Sequence, residues 1–117
     1  MGTCGTDRVF CFGGIMARTP EGRVKDTVVE ILKACGAYYF FPQSGIYGRS
    51  GIPDIIACIN GRFVAIECKA GKNTATALQL KEIGKINDAG GFAVVVNEDN
   101  LDRLAAILNV MAKGERV

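Results

Sequence analysis

The chain has 117 residues, 49% of them hydrophobic and 22% charged, with a formal net charge of +2. That is one globular domain, too near neutral for bulk charge to signal a nucleic-acid partner, although a local basic patch needs no net excess. There is no histidine, which excludes Ser-His-Asp and Cys-His catalysis and His-ligated metal centres; no apolar run approaches the ~20 residues that span a bilayer, so no membrane role is expected.

Residues 1–17 show no clear period and carry Gly2, Gly5, Gly13 and Gly14. They read as a flexible tail, with Met16 as an alternative start, and residues 18–117 as a single domain. Thr19-Pro20 gives an N-cap followed by proline at the first helical position. Val24, Val28, Ile31 and Cys35, with Leu32 beside them, then recur at helical spacing, predicting a helix over about 20–35 that Gly36 ends. Residues 37–41 form a short aromatic strand stopped by Pro42. The glycine-rich stretch from Gln43 to Ile52 is a loop. Strands are predicted over 53–59 and 62–69, joined by Asn60-Gly61, among the strongest short hairpin signals. Thr74 is the expected cap of a helix over about 75–89, closed by Gly90-Gly91. Residues 92–96 are wholly apolar, as expected near a sheet centre. Leu101, Leu104, Ala105, Leu108 and Met111 mark a third helix over about 98–112. The fold class is therefore α/β, with element order α-β-β-β-α-β-α and a mixed sheet of about four strands flanked by helices.

The hairpin places two acids where stability alone would not. With a two-residue turn, Ile59 faces Arg62 and every pair sums to 121, which sets Asp54 opposite Glu67. This is a non-hydrogen-bonded rung, where Cβ atoms approach to about 4.5–5 Å. Two carboxylates there repel by roughly 3 kcal/mol at an effective dielectric of about 20. A divalent cation between them reverses the sign, and oxygen donors favour a hard ion, Mg²⁺ or Mn²⁺. Strand alternation puts Lys69 on the face of Glu67. There it can orient or deprotonate water, or neutralise charge on a phosphate; the plain alternative is an ion pair at a strand end. Glu21 falls within the apolar arc of the first helix, where the plain alternative is a carboxylate favouring the helix dipole. Gln79 shares a face with Ile83 and Ile86.

Two loops supply groups suited to a phosphate backbone: Gln43, Ser44, Tyr47, Arg49 and Ser50 in the first, Lys72 and Asn73 in the second. Tyr47 can also stack on a base. The five cysteines, Cys4, Cys11, Cys35, Cys58 and Cys68, are odd in number and form no CxxC. They read as reduced, buried thiols of a cytoplasmic protein.

Pro53-Asp54 followed by Glu67-Cys68-Lys69 resembles the PD-(D/E)XK nuclease signature and its restriction-endonuclease-like core. The wider run, Thr19-Pro20-Glu21-Gly22, residues 48–56, residues 65–69 and Gln79, resembles the VRR-NUC branch, found in small phage proteins and in Fanconi-associated nucleases. The resemblance covers about residues 19–97. It implies a Mg²⁺- or Mn²⁺-dependent endodeoxyribonuclease. Asp54, Glu67 and the Cys68 backbone carbonyl match the metal ligands, and Lys69 matches the active-site lysine. Glu21, through a water or a second ion, and Gln79 complete the catalytic set. It further implies a homodimer acting on branched DNA such as Holliday junctions, in the cytoplasm of a phage-infected bacterial cell. The third helix and the aromatic strand 38–41 are the candidate dimer surfaces, the plain alternative being that they are core. The alternatives are a catalytically silent binder of branched DNA, a nuclease for flaps, nicks or other DNA, and a small-molecule phosphodiesterase.

Overall fold

The computed structural model describes residues 19–43 and 50–114. The expected tail, residues 1–17, lies outside them, as do Ser44, Tyr47 and Arg49. The elements are α1 (Pro20–Ala34), β1 (Tyr38–Phe40), β2 (Ile55–Ile59), β3 (Arg62–Cys68), α2 (Ala77–Asp88), β4 (Phe92–Val96) and α3 (Leu101–Lys113). The α-β-β-β-α-β-α order is the one the sequence implies.

Helix α1 begins where Thr19 accepts the Gly22 N–H at 3.0 Å, satisfying one orphan donor of the first turn. Gly36, at φ +72°, turns the chain out of it. Asn60 and Gly61 both have positive φ, which gives the primed turn whose twist suits a two-residue hairpin. The hairpin register runs from Ile59 opposite Arg62 to Ile55 opposite Ile66, so every pair sums to 121 as expected. Asn60 also donates its side-chain amide to Met111 O and Gly114 O, tying the turn to the end of α3. After α2 the chain returns as β4, parallel to β3, and the sheet order is β1-β2-β3-β4.

Three boundaries differ from expectation by two residues or more, each because a side chain captures backbone groups. Thr76, not Thr74, caps α2. Only Thr76 has a glutamine three residues on, and together they close a capping box. α3 starts at Leu101 rather than near Glu98. The Asn97 and Asn100 side chains accept the N–H groups of Asp99 and Asn97, holding a turn ahead of the helix. β2 starts at Ile55 rather than Pro53, because the Asp54 carboxylate accepts the Cys68 N–H at 3.0 Å in place of a further ladder bond.

The main core lies between the sheet and the α1–α3 layer. Val24, Val28 and Leu32 of α1 and Leu104 and Leu108 of α3 pack on Ile55, Ala57, Ile59, Val64, Ile66, Cys68 and Val96. A smaller cluster of Ala65, Ile83 and Ala93 lies under α2 on the opposite face. Among the described residues, no helix is long and apolar enough to cross a membrane. Cys35, Cys58 and Cys68 are free thiols, but Cys58 is exposed, which corrects the expectation of a buried residue. Its apolar neighbours in sequence, Ala57 and Ile59, point to the α1–α3 core. Alternation turns Cys58 to the other face, beyond the reach of α2. Cys4 and Cys11 lie outside the described residues.

Candidate active site

The site forms at the open end of the β2–β3 hairpin. Strand β3 reads almost wholly buried from Val64 onward, and Glu67 is 1% exposed, the one charged side chain among the buried described residues. It projects to the α2 side of the sheet. There Lys69, two residues on, brings its ammonium to 3.4 Å from Glu67 Oε2. From above, Gln79 of α2 donates its Nε2–H to the same oxygen at 3.0 Å. The other oxygen, Glu67 Oε1, is buried without a hydrogen-bond partner. A buried acceptor left unmet is unusual and costly.

Asp54 occupies the next rung of the register beyond Ile55 and Ile66, on the side of Glu67. Lys69 N–H bonds to Val96 O of β4. By strand alternation the Cys68 N–H and C=O therefore face the β2 edge, where that N–H meets Asp54 Oδ2. Glu21, half-buried in the first turn of α1, adds its charge from the opposite layer.

The electrostatics agree with this grouping. The Glu67 carboxyl is pushed up to about 7, first by burial, then by the Asp54 charge; Lys69 opposes the shift and Glu21 adds to it slightly. The Cys68 thiol is pushed up to about 12, chiefly by burial, then by Asp54. It is thus a packing group, not a nucleophile. Among the described residues, no three His, Cys, Asp or Glu side chains form a cluster suited to a metal ion. The side-chain oxygen donors are the Asp54–Glu67 pair, and a further protein donor on this rung is backbone.

Of the expected phosphate-binding residues, Lys72 and Asn73 are exposed in the turn just after Lys69, and Gln43 and Ser50 are exposed at the two ends of the first loop. Ser44, Tyr47 and Arg49 are not among the described residues.

Two positions that hold the site were not singled out by sequence reasoning. Thr76 donates its N–H to Gln79 Oε1 at 2.9 Å and accepts the Gln79 N–H at 3.2 Å. The Thr-x-x-Gln spacing was a usable signal for it. Glu98 accepts the Gly71 N–H with both oxygens, at 3.0 and 3.2 Å, and pins the turn that follows Lys69. A hydrogen bond from its own backbone N–H, and after it that of Gly71, holds its carboxyl below the usual range. No local sequence pattern announces that contact, because 27 residues separate the partners.

No family model matches the chain. Its sequence is 31% identical over 86 residues to "Putative nuclease p44" of Acyrthosiphon pisum secondary endosymbiont phage 1, spanning 73% of this chain and 89% of that protein. A solved structure described as "VRR_NUC domain" is similar to it with a TM-score of 0.64 and 26% identity, over 76% of this chain and 97% of that one.

Proposed function

The chain belongs to the VRR-NUC family, and from that membership we propose that it is a Mg²⁺- or Mn²⁺-dependent endonuclease that hydrolyses phosphodiester bonds of branched DNA, four-way junctions included, as a homodimer. The observation that carries the chemistry is Glu67 Oε1, a buried carboxylate oxygen with no partner, beside a second carboxylate and a lysine.

The residues present fit a hard divalent ion. An orphaned buried oxygen, a second acid raising its pKa and an adjacent backbone carbonyl form an oxygen donor set suited to a cation. Asp54, Glu67 and the Cys68 carbonyl would hold it, with Glu21 acting through water. When bound, such an ion polarises a phosphate oxygen and lowers the pKa of water.

The chain's own groups do the rest. Gln79 and Lys69 both hold Glu67 Oε2, which leaves Oε1 as the oxygen free to bind. The Cys68 N–H fixes the rotation of the Asp54 carboxylate. Lys69, partly exposed at the end of its strand, places an ammonium where it can orient an attacking water or screen charge growing on the phosphate. Lys72 and Asn73 flank it as backbone contacts.

The test is cleavage of four-way, flapped, nicked and linear DNA with Mg²⁺, with Mn²⁺ and with EDTA. The expected result is product with either ion and none in EDTA, most on branched substrates. Asp54→Ala and Lys69→Ala should abolish it. A protein that binds junctions in EDTA but yields no product with either ion is the silent binding module instead. Variants that cut like the wild type would overturn the site.

A further inference from the structure

Lys25 of α1 and Phe41, just past β1, meet on the β1 side of the active site. Lys25 lies one helical turn beyond Glu21, and both are half-buried. A glutamate four residues before a lysine is the favoured ion pair of a helix surface. Here that pair does not form. The Lys25 ammonium sits over the Phe41 ring instead, 5.5 Å from its centroid. Tyr39 holds the ring edge-on, with centroids 6.0 Å apart. Phe41 is 48% exposed, so this seat opens to solvent.

Strand pairing locates the seat. Phe40 faces Ile56, so Phe41 comes beside Ile55, next in the chain to Asp54. By alternation Phe41 shares the side of Tyr39 and Ala57, that of the α1–α3 core. Glu67 and Lys69 lie on the opposite side, under α2. Each layer therefore sets one ammonium beside the Asp54–Glu67 rung, Lys69 from the α2 side and Lys25 from the α1 side. The charge of Lys25 reaches this end of β3: it opposes the upward push that burial and Asp54 give the Cys68 thiol.

The two cations are held differently. Lys69 is paired with Glu67. A ring holds an ammonium without neutralising it and leaves N–H donors for an anion. Three acids at the site repel a polyanion, so a strand crossing it needs cations on both flanks. Lys72 stands on the flank beyond Lys69, and Lys25 on the other. β1 lies two strands from β3, about 10 Å. That is roughly the rise of three nucleotides along one strand, which suits a neighbouring phosphate rather than the one being cut.

We propose that Lys25, seated on the Phe41 ring, is a substrate contact that binds a DNA phosphate flanking the scissile one, on the β1 side of the site. The inference rests on the nuclease reading above. The contact is made alike before and during cleavage, so it serves binding and not the chemical step.

The experiment measures the affinity of the full chain for a fluorescent four-way junction in EDTA, over roughly 50 to 200 mM salt, with kcat and KM in Mg²⁺ measured in parallel. Lys25→Met keeps the apolar stem and removes the charge. It should lower the slope of log affinity against log salt by about 0.9 per bound subunit. It should raise KM several-fold while kcat stays within about twofold. Lys25→Arg should restore the slope. Phe41→Leu keeps the charge but removes its seat, and should weaken binding a few-fold at an unchanged slope. Lys33→Met, at an exposed lysine in the last turn of α1, is the control and should match the wild type. A wild-type slope in Lys25→Met would overturn the proposal and leave Lys25 a counter-charge to the nearby acids. An equal fall in Lys33→Met would overturn it in favour of bulk charge. A wild type that cuts junctions with a slope indifferent to Lys25 refutes the contact and leaves the nuclease reading standing. One that binds with the expected slopes yet cuts with neither Mg²⁺ nor Mn²⁺ refutes the nuclease reading and keeps the contact. One that does not bind DNA refutes both.

Discussion

Gln79 donates to Glu67 Oε2 at 3.0 Å while its own Oε1 accepts the N–H of Thr76 at 2.9 Å. One side chain thus serves as helix cap and as carboxylate clamp. The cap decides which end of the amide faces the acid, since only the NH₂ end remains for Glu67. Helix geometry and site geometry are coupled through three atoms.

Gln79→Glu separates the two roles. Glutamate is as good a capping-box partner as glutamine, and at pH 5, where Glu67 holds its proton and can donate to the new carboxylate, the melting temperature should hold within a degree or two. The donor to Glu67 becomes a third acid, and cleavage should fall by about 10²-fold, in the range that loss of one preorganised polar contact costs. Gln79→Ala should lose both the activity and about 1 kcal/mol of stability. Thermal denaturation and single-turnover cleavage on the two variants check this; equal melting losses in both would deny the cap its separate role.

The raised Glu67 pKa makes stability depend on pH. The group titrates near 7 in the folded chain against an ordinary value of 4.5. Between those values the folded state binds the extra proton, so its stabilising effect is complete below pH 4.5 and is lost as pH rises through 7. The full swing is on the order of 3 kcal/mol. The melting temperature of wild type relative to Glu67→Gln should therefore fall between pH 4.5 and 7.5. Saturating Mg²⁺ should raise the wild-type midpoint more at pH 8 than at pH 5, since the ion and the proton compete for the same oxygens. A pH-independent difference between the two proteins would contradict the shift.

Asp54 has a structural and an electrostatic duty, and two substitutions divide them. Asp54→Asn keeps an oxygen for the Cys68 N–H and removes the charge. It should melt near the wild type, lower the Glu67 pKa and abolish cleavage. Asp54→Ala leaves that N–H unmet and should cost about 1–3 kcal/mol as well. Chemical denaturation and cleavage assays on the pair read both effects.

The fold was legible wherever short-range chemistry decided it. Asn60-Gly61 sets the turn, the turn sets the register, and the register sets Asp54 on the rung of Glu67. Lys69 followed from strand alternation, whereas Gln79 joined the site only through the resemblance to the VRR-NUC run. What the sequence hid was non-local. Glu98 reaches Gly71 across a parallel crossover, and no spacing rule links them. Cys58 sits in an apolar run yet faces outward, because α2 covers only half of a face. Thr76 takes the cap from Thr74 because only Thr76 has a glutamine three residues on, and that one side chain is both cap and clamp.

Gly51 of the glycine-rich loop packs against the first turn of the helix that carries Gln79. It adopts φ +82°, and a Cβ there would lie 2.6 Å from Leu78 O and 3.1 Å from the Gln79 N. Both neighbours are backbone in the first turn of α2, so neither can swing aside. Gly51→Ala must move the loop, the helix start, or both, on top of the roughly 1–2 kcal/mol that a left-handed conformation costs an L-residue. Gly36 is the matched control, with φ +72° and open space around the added carbon. Gly36→Ala should lose only the conformational cost and keep full activity. Gly51→Ala should lose more stability and, by displacing Gln79 from Glu67, at least about tenfold in cleavage rate, as small misplacements near a reacting centre do. Equal effects at the two glycines, measured by denaturation and by cleavage with Mg²⁺, would show that the close approach to Leu78 does not hold the site.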